Sequence, residues 1–406
     1  MRLILHIDVN NAFLSWTAVD MLKKGSKTDI RNEVSVIGGS LNSRRGVVLA
    51  KSIPAKNKGI KTGETMYQAL LKDKTLKSYP PDFDLYKKMS DDMFNLLYKY
   101  SPDLEKFSID ECFLEFTNVK MLYDDVFTFA KMISNDIKKT LGFTVNIGIG
   151  NNKLCAKMAS NFSKPDKIHT LFMDEVSVKL WPLDVSELLW IGKKTTIKLR
   201  ELNINTIGDL ANADVNFLRK FFKNQAEKMH MHANGIDNDP VLSVSSKNVS
   251  ISKSTTFMED TDDVKKIYNK IDFLTDQVAS KLRLDKKYAY GVSVTYKNSY
   301  FKSYSKQRKL NNPTNNAKIL GDNLKELFNE VYMGEDVRLV GVSAYNLVDS
   351  LNHQLSIFEK EEEIKEDLTI DQTIDQLREK FGHNIVSSAS IHNTKNKKEK
   401  LWTIIF

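Results

Sequence analysis

Acidic side chains at two separate places in the chain are the residues best suited to chemistry. Asp110 and Glu111 stand side by side in an apolar segment, and Asp8 follows a short apolar run near the N-terminus. Adjacent carboxylates repel each other and are costly to bury. A divalent cation offsets that cost, and three carboxylates make the hard, oxygen-rich site that suits Mg²⁺ carrying phosphates. The sequence therefore predicts a magnesium site formed by these three acids.

The elements around these acids must bring them to one place. Neighbouring residues of a regular strand point to opposite faces, so Asp110 and Glu111 can share a site only near a strand end or hairpin tip. Alternation and apolar runs predict strands over residues 3–9, 107–116 and 144–150, and helical periodicity predicts helices over 12–24, 87–99 and 123–141. This order is typical of a split βαβ, ferredoxin-like sheet with an insertion after its first strand.

The rest of the chain predicts a second, basic α+β region. Residues 172–238 indicate short helices, and Gly192 and Lys193 open a turn that could offer backbone N–H groups to a phosphate. An ordinary helix–helix turn explains this pattern equally well. Residues 239–252 have the composition of a linker, and 253–349 alternate helices and strands. Basic and aromatic side chains interleave over 296–309, where Lys302, Lys306 and Arg308 are predicted DNA contacts. A solvated edge strand is the alternative.

Composition limits the class of protein. The 406 residues suggest two to four domains, and the net charge of +8 fits a polyanionic partner without requiring one. Two cysteines imply no disulfide framework and favour a reducing cytoplasm. The N-terminus is too quickly acidic for a signal peptide, and no apolar run approaches the roughly 18 residues of a membrane span.

Three segments together resemble the Y-family translesion DNA polymerases, nearest to the bacterial polymerase IV and V types. They are residues 8–13, 108–111 and 150–165, and the resemblance covers residues 1–358. It implies a multidomain α+β protein, with a ferredoxin-like palm over 1–11 and 80–171 and small fingers over 12–79. After these come a helix-hairpin-helix thumb over 172–238, the linker, a DNA-binding little finger over 253–349 and a clamp-binding motif with a tail over 350–406.

The resemblance implies a low-fidelity, template-directed polymerase that adds deoxynucleotides to a primer 3′-end opposite damaged or undamaged template. In two-metal transfer one Mg²⁺ lowers the pKa of the attacking hydroxyl, and a second, roughly 3.5–4 Å away, neutralises the triphosphate and the leaving group. We expect Asp8 and Asp110 to bridge the two ions and Glu111 to lie nearer the primer-side ion. The resemblance implies that the Val9 carbonyl completes the other ion's ligands.

Further positions are assigned to the nucleotide by resemblance. Phe13 is expected to be a steric gate against a ribose 2′-hydroxyl, and Lys164 a contact to the β- and γ-phosphates. Without the resemblance, a core phenylalanine and a solvated lysine are the simpler interpretations. Many family members carry a tyrosine and an arginine three residues apart in the fingers, where this chain has Ile53 and Lys56. We expect a weaker triphosphate contact there, aided by a neighbour such as Ser52.

A short segment near the C-terminus predicts a protein partner. Gln354, Leu355, Ile357 and Phe358 resemble the pentapeptide by which bacterial polymerases bind the β subunit of the sliding clamp. The expected partners are therefore primer–template DNA, deoxynucleoside triphosphates and the clamp, with the chain itself a monomer. Two rivals are a nucleotidyl cyclase with a similar palm and a non-catalytic, clamp-bound adaptor. A non-catalytic adaptor would be expected to lack at least one of the three acids of the site, whereas this chain has all three.

Overall fold

The computed structural model describes residues 2–39, 46–243, 249–349 and 361–381, with the side chains of the last segment described from residue 370 onward. The chain separates into two compact units, Met1–Ser245 and Ser246–Phe406. No helix of the described ranges is long and apolar enough to cross a membrane.

The first unit contains eighteen regular elements within its described residues. They are β1 (Ile4–Val9), α1 (Ala12–Lys23), β2 (Ser35–Gly38), β3 (Val48–Lys51), α2 (Ile53–Asn57), α3 (Met66–Lys72), β4 (Lys77–Tyr79), α4 (Phe83–Leu97), β5 (Leu104–Lys106), β6 (Glu111–Glu115), α5 (Val126–Leu141), β7 (Val145–Gly150), α6 (Lys153–Asn161), β8 (Ile168–Leu171), α7 (Lys193–Glu201), α8 (Ile207–Ala211), α9 (Val215–Phe222) and α10 (Gln225–Ala233).

A five-stranded sheet in the order β5-β6-β1-β7-β8 forms the centre of this unit. β1 runs antiparallel to both β6 and β7, while β7 and β8 are parallel. One face packs apolar side chains such as Ile7 and Ile147 against α1, α4 and α5. The other face carries His6, Asp8 and Glu111 and lies under α6. This order of elements confirms the predicted ferredoxin-like arrangement.

Two glycines of β7 let α6 approach the sheet closely. A Cβ atom on Gly148 would lie 1.9 Å from the carbonyl oxygen of Ala156, and one on Gly150 would lie 2.6 Å from its nitrogen. Any larger residue would push the helix away. The close approach places α6 side chains directly above the polar row of β1.

Two smaller groups of elements complete the first unit. The sheet β3-β2-β4 packs with α2 and α3 around its own core, which includes Val36, Val48 and Met66. The helices α7 to α10 bury a separate core that includes Leu199 and Leu210. These groups occupy the stretches that the sequence assigns to the fingers and the thumb.

The second unit is an antiparallel sheet covered by helices. The elements are β9 (Ser250–Thr261), α11 (Val264–Leu284), β10 (Tyr288–Asn298), β11 (Ser303–Thr314), α12 (Ala317–Val331), β12 (Val337–Val348) and α13 (Glu361–Phe381). The sheet has the order β11-β10-β12-β9, and apolar side chains of its inner face pack against α11 and α12.

Two strands of this unit are longer than the sequence pattern indicates. β9 begins at Ser250, inside the stretch predicted to be a linker, and β11 continues to Thr314, beyond the segment noted only as basic. The outward positions of both strands carry small polar or basic side chains, so an apolar strand pattern is weak. Within the stretch assigned to the C-terminal tail, residues 361–381 form the long helix α13.

Candidate active site

Strand register brings the three predicted acids to one end of the central sheet. Asp8 of β1 lies opposite Glu111, the first residue of β6. Asp110 lies in the turn just before β6, and its carbonyl accepts a hydrogen bond of 3.0 Å from the Val9 N–H. The condition that the adjacent acids sit at a hairpin end is therefore met, and the acids converge although about 100 residues separate them in the chain.

Asp8 and Asp110 occupy surroundings that disfavour their charge. Burial, together with the negative charges of Glu111 and Asp110, raises the pKa of Asp8 to about 6, although Lys164 opposes them. The Lys164 ammonium donates to Asp8 Oδ1 at 2.8 Å. Burial also raises the pKa of Asp110, against a hydrogen bond of 2.6 Å from the Ser108 hydroxyl. A further cation at these two carboxylates would be stabilised.

Glu111 belongs to a buried polar network under α6. Its Oε2 contacts the ammonium of Lys157 and lies 3.2 Å from His6 Nε2. His6 Nδ1 lies 2.8 Å from the Ser160 hydroxyl. Burial raises the pKa of Glu111, but the His6 hydrogen bond and the Lys157 charge outweigh it and lower that pKa to about 2. Burial lowers the pKa of His6 to about 4, so its imidazole is neutral at pH 7.

The sequence interpretation overlooked the two partners of Glu111. The histidines of the chain lack metal-ligand spacing, so their pattern does not single out His6, and Lys157 is one of several lysines between residues 153 and 167. The available signal was the two-residue spacing of His6 and Asp8, which puts them on one face of β1. Nothing local shows that α6 supplies Lys157 to that face.

The oxygen atoms of the site suit a hard divalent cation, although the side chains are not arranged around a common centre. Within the described ranges, no group of three or more His, Cys, Asp or Glu side chains is arranged to hold a metal ion. Asp8 and Glu111 are instead each engaged by a lysine ammonium. Their oxygens, with those of Asp110 and the backbone carbonyl of Val9, are ligands of the type Mg²⁺ accepts. The residues therefore fit such an ion once a lysine gives way.

Phe13 lies at the start of α1 in a fixed aromatic stack. Its ring is parallel to that of Tyr86, with centroids 4.4 Å apart and planes 5° apart, and Phe83 packs edge-on at 6.1 Å. The Tyr86 hydroxyl lies 3.0 Å from that of Thr17, which fixes the supporting ring in turn. Phe13 is therefore a rigid, half-buried wall rather than a fully buried core residue.

Of the two side chains predicted to contact the triphosphate from the fingers, Ser52 is buried and Lys56 is exposed. The Ser52 hydroxyl donates to the Glu33 carbonyl at 2.6 Å and caps α2 by accepting from the Ala55 N–H. Lys56 lies one turn along α2. Burial and the charge of Lys56 lower the pKa of the nearby Lys51. Lysine side chains thus lie on both α2 and β3, whereas the Ser52 hydroxyl is already hydrogen-bonded to backbone groups.

The thumb contacts lie at the start of α7. Gly192 is the N-cap residue of this helix and supplies no side-chain cap, and Lys193 is its exposed first residue. This geometry agrees with the predicted turn, and its contact with phosphate stays a prediction.

Two of the predicted contacts in the second unit lie against a helix. Arg308 pairs with Glu326 at 2.7 Å and with Glu330, and Lys306 lies 3.4 Å from Glu330. Lys302, in the turn between β10 and β11, is exposed. Alternation along the strands turns a different set to the face away from α12. That set, which sequence reasoning missed, is Ser252, Ser254, Ser293, Thr295, Lys297, Ser305, Gln307, Lys309 and Ser343.

The predicted clamp segment lies outside the described residues. Gln354, Leu355, Ile357 and Phe358 all fall between residue 349, near the end of β12, and the first residue of α13. Their role stays a prediction.

Comparison with known proteins places the whole chain. Residues 7–161 match the model of the impB/mucB/samB family, and residues 248–357 match that of the impB/mucB/samB family C-terminal domain. The chain is 43% identical to the DNA polymerase IV of Clostridium acetobutylicum over 396 residues, which covers 98% of this chain and all of the relative. It is 32% identical to the DNA polymerase IV of Clostridium kluyveri over 404 residues, 97% of this chain and all of the relative.

Solved structures show the same fold. A Y-family DNA polymerase chimera of Dbh and Dpo4 matches 86% of this chain and all of its own with a TM-score of 0.75 at 24% identity. An insertion ternary complex of Dbh DNA polymerase matches the same shares with a TM-score of 0.60, also at 24% identity. The predicted α+β polymerase fold is therefore confirmed. The chain belongs to the DNA polymerase IV group of the Y-family translesion polymerases and is a DNA-directed DNA polymerase.

Proposed function

We propose that this chain extends a primer 3′-end with deoxynucleotides by two-metal phosphoryl transfer, with Asp8, Asp110 and Glu111 as the metal ligands and Val9 adding its carbonyl. The observation that carries this proposal is the convergence of the three acids where β1 meets β6, with the pKa values of Asp8 and Asp110 raised mainly by burial. Two Mg²⁺ ions bound there would activate the primer hydroxyl and neutralise the triphosphate.

We propose that Lys164 leaves the Asp8 carboxylate and binds the phosphates of the incoming nucleotide. Its ammonium donates to Asp8 Oδ1 at 2.8 Å. Its side chain is 35% exposed, so it can swing outward. We infer that it moves to the β- and γ-phosphates of the incoming nucleotide, as a compact point charge on a flexible stem can do.

Phe13 is proposed to select the sugar. Because Tyr86 and Phe83 hold its ring from two sides, it cannot yield to an added oxygen. A ribose 2′-hydroxyl would therefore clash, while a deoxyribose would fit.

The small fingers are proposed to hold the triphosphate and to check the base pair only loosely. Lys56 supplies charge from α2, and Ser52 contributes indirectly by capping that helix. A three-stranded sheet with two short helices has little surface to press on a nascent pair. Weak discrimination of shape would admit damaged templates and errors.

The proposed macromolecular partners are primer–template DNA and the sliding clamp. The thumb turn at Gly192 and Lys193, the turn at Lys302 and the outward face of the second unit's sheet present basic or small polar groups suited to a phosphate backbone. We propose that residues 354–358 bind the clamp and that the chain acts as a monomer. The rival adaptor function has no support in the two curated relatives described above, both of which bear the name DNA polymerase IV.

The decisive test is primer extension with Mg²⁺ and deoxynucleotides by wild type and Asp110→Ala. Loss of a metal ligand removes several kcal/mol of transition-state stabilisation, so we expect kcat to fall at least about 10³-fold. Asp91→Ala is the matched control, because Asp91 is an exposed carboxylate of α4 in the same unit. Equal extension by wild type and Asp110→Ala would overturn the assignment.

A further inference from the structure

Trp190 occupies a backbone conformation that a bulky residue rarely adopts. The N–H of Ile191 donates to the carbonyl of Leu188 at 3.0 Å and closes a four-residue turn with Trp190 at its third position. Its φ angle is 73°, in the left-handed region. Turns with positive φ at this position favour glycine or asparagine, because a Cβ atom there crowds the backbone. A tryptophan at this place is therefore strained.

The same side chain is also unusually exposed. Trp190 shows 70% of its surface to solvent, although it is the largest apolar side chain of this turn. Its contact is an edge-to-face approach to Phe107, with ring centroids 6.5 Å apart. Phe107 and Ile109 are themselves 38% and 37% exposed. A strained residue that exposes an aromatic ring is a reason to look for a ligand.

The position of this aromatic surface relates it to the active site. The N–H of Phe107 donates to the carbonyl of Glu111 at 3.0 Å, so the ring belongs to the hairpin that carries the catalytic acids. The ammonium of Lys157, which contacts Glu111, lies 5.0 Å from the centroid of the Phe107 ring. On its other side, Trp190 is followed within four residues by Lys193 and Lys194, both exposed.

We propose that Trp190 packs on the sugars of the primer strand of bound duplex DNA, between the phosphates held by Lys193 and Lys194 and the catalytic hairpin. This inference rests on the proposed function and adds a residue to it. Lysines beside an aromatic ring suit a ligand with alternating charged and apolar parts, which is the chemistry of a sugar–phosphate backbone. Such a contact positions the duplex without reading its sequence. It would also place the primer end toward Asp110.

The rival interpretation is a clasp within the protein, in which Trp190 only holds the thumb turn against Phe107. The two interpretations differ in what they require of the free chain. A clasp acts whether or not DNA is present, whereas a DNA contact acts only in the complex.

The test measures the Kd of a labelled primer–template by fluorescence anisotropy, without nucleotide, for Trp190→Gly and Trp190→Phe. Glycine suits positive φ, so this variant is expected to keep its fold. We expect Trp190→Gly to weaken binding by about tenfold, within the range of aromatic contacts to nucleic acid, and Trp190→Phe to remain within about threefold of wild type. The control is Trp181→Phe, because the Trp181 indole donates to the Ala233 carbonyl at 3.1 Å within the protein.

A Trp190→Gly variant that binds DNA like wild type would overturn the inference, as would a loss of affinity that Trp190→Phe does not restore. A lowered Tm with unchanged Kd would establish the clasp instead. DNA binding is measured separately from catalysis, so failure of the Trp190 inference can be distinguished from failure of the proposed polymerase function. In that case wild type would not extend a primer, whatever the Kd values are.

Discussion

Buried ion pairs occur in both units, and they differ in the cation. In the first unit the carboxylates of Asp8 and Glu111 meet lysine ammoniums. In the second unit Arg283 joins α11 to the carboxylates of Asp371 and Asp375 on α13. The four carboxylates are buried to a similar extent, but the Lys164 side chain is 35% exposed and that of Arg283 only 8%. The chemistry of the cation and its exposure together decide how easily each pair can be exchanged.

The arginine cluster leaves few donors or acceptors free. Arg283 is only 8% exposed and donates to Asp375 through two nitrogens, at 2.5 and 3.1 Å. It also donates to Asp371 at 2.9 Å and to the Asn315 carbonyl at 3.0 Å, while Asp371 accepts from the Ala317 N–H. A planar fork that is satisfied in this way fixes geometry. The cluster therefore serves to dock α13.

The Lys164 pair leaves the carboxylate of Asp8 incompletely satisfied. The ammonium reaches one oxygen, at 2.8 Å, and the pKa of Asp8 stays raised, chiefly by burial. An ammonium is a point charge on a flexible stem and can leave without breaking a fork. From this contrast we infer that the Lys164–Asp8 pair acts as a placeholder for an incoming cation, whereas the Arg283 cluster fixes α13 on α11.

The largest effect on stability is expected from Arg283→Ala. It leaves two carboxylates buried without their cation, which costs about 3 kcal/mol or more. We expect the second unit to unfold at lower urea concentration, with α13 exposed to protease. Arg308→Ala is the matched control, because its partners Glu326 and Glu330 are 67% and 41% exposed. We expect it to change stability by less than about 1 kcal/mol. Equal losses of unfolding free energy in Arg283→Ala and Arg308→Ala would contradict the idea that the buried Arg283 cluster holds α13 in place.

A smaller effect is expected from Lys164→Gln on metal binding. Without its ammonium Asp8 carries an unneutralised charge, so the affinity for Mn²⁺ in the absence of nucleotide should rise by about tenfold. Nucleotide affinity should fall, because the phosphate contact is lost. The Mn²⁺ titration is followed by electron paramagnetic resonance. Lys179→Gln is the control, since Lys179 is 38% exposed, much like Lys164, and pairs with Glu175 at 2.5 Å in the same unit, outside the predicted ligand set. Unchanged Mn²⁺ affinity would contradict the placeholder idea.

The smallest effect concerns stability against pH without metal. Burial raises the pKa of Asp8 from 3.8 to about 6, so the folded chain holds a proton that the unfolded chain has released. Stability is then lost as pH rises from about 4 to about 6. Asp8→Asn should therefore match wild type near pH 4 and be more stable than wild type at pH 7.

Asp375→Asn should show the opposite sign. Burial raises the pKa of Asp375, but hydrogen bonds from Arg283 and Ser280 outweigh it and hold that pKa below its usual value. This variant should be less stable than wild type at pH 7, and the difference should vanish as pH falls through the folded pKa. Urea titrations at several pH values compare the two variants. A difference of the same sign for both would contradict the comparison.

The sequence by itself determined the chemistry of the acids and the class of fold. Asp8, Asp110 and Glu111 stand in short segments whose residue types and order are informative without any tertiary contact. Three strands of the central sheet, β1, β6 and β7, and the helices packed on it also follow from local periodicity. The short edge strands β5 and β8 were not predicted. The family assignment rests on the same local segments and agrees with the relatives.

Only the tertiary structure decided which groups surround those acids. Lys157 and His6 reach Glu111 across 46 and 105 positions of the chain, because Gly148 and Gly150 let α6 lie close on β1 and β7. Strand register in the same way turned Arg308 toward α12 instead of the outward face. Such contacts depend on packing distance and register, which no local pattern encodes.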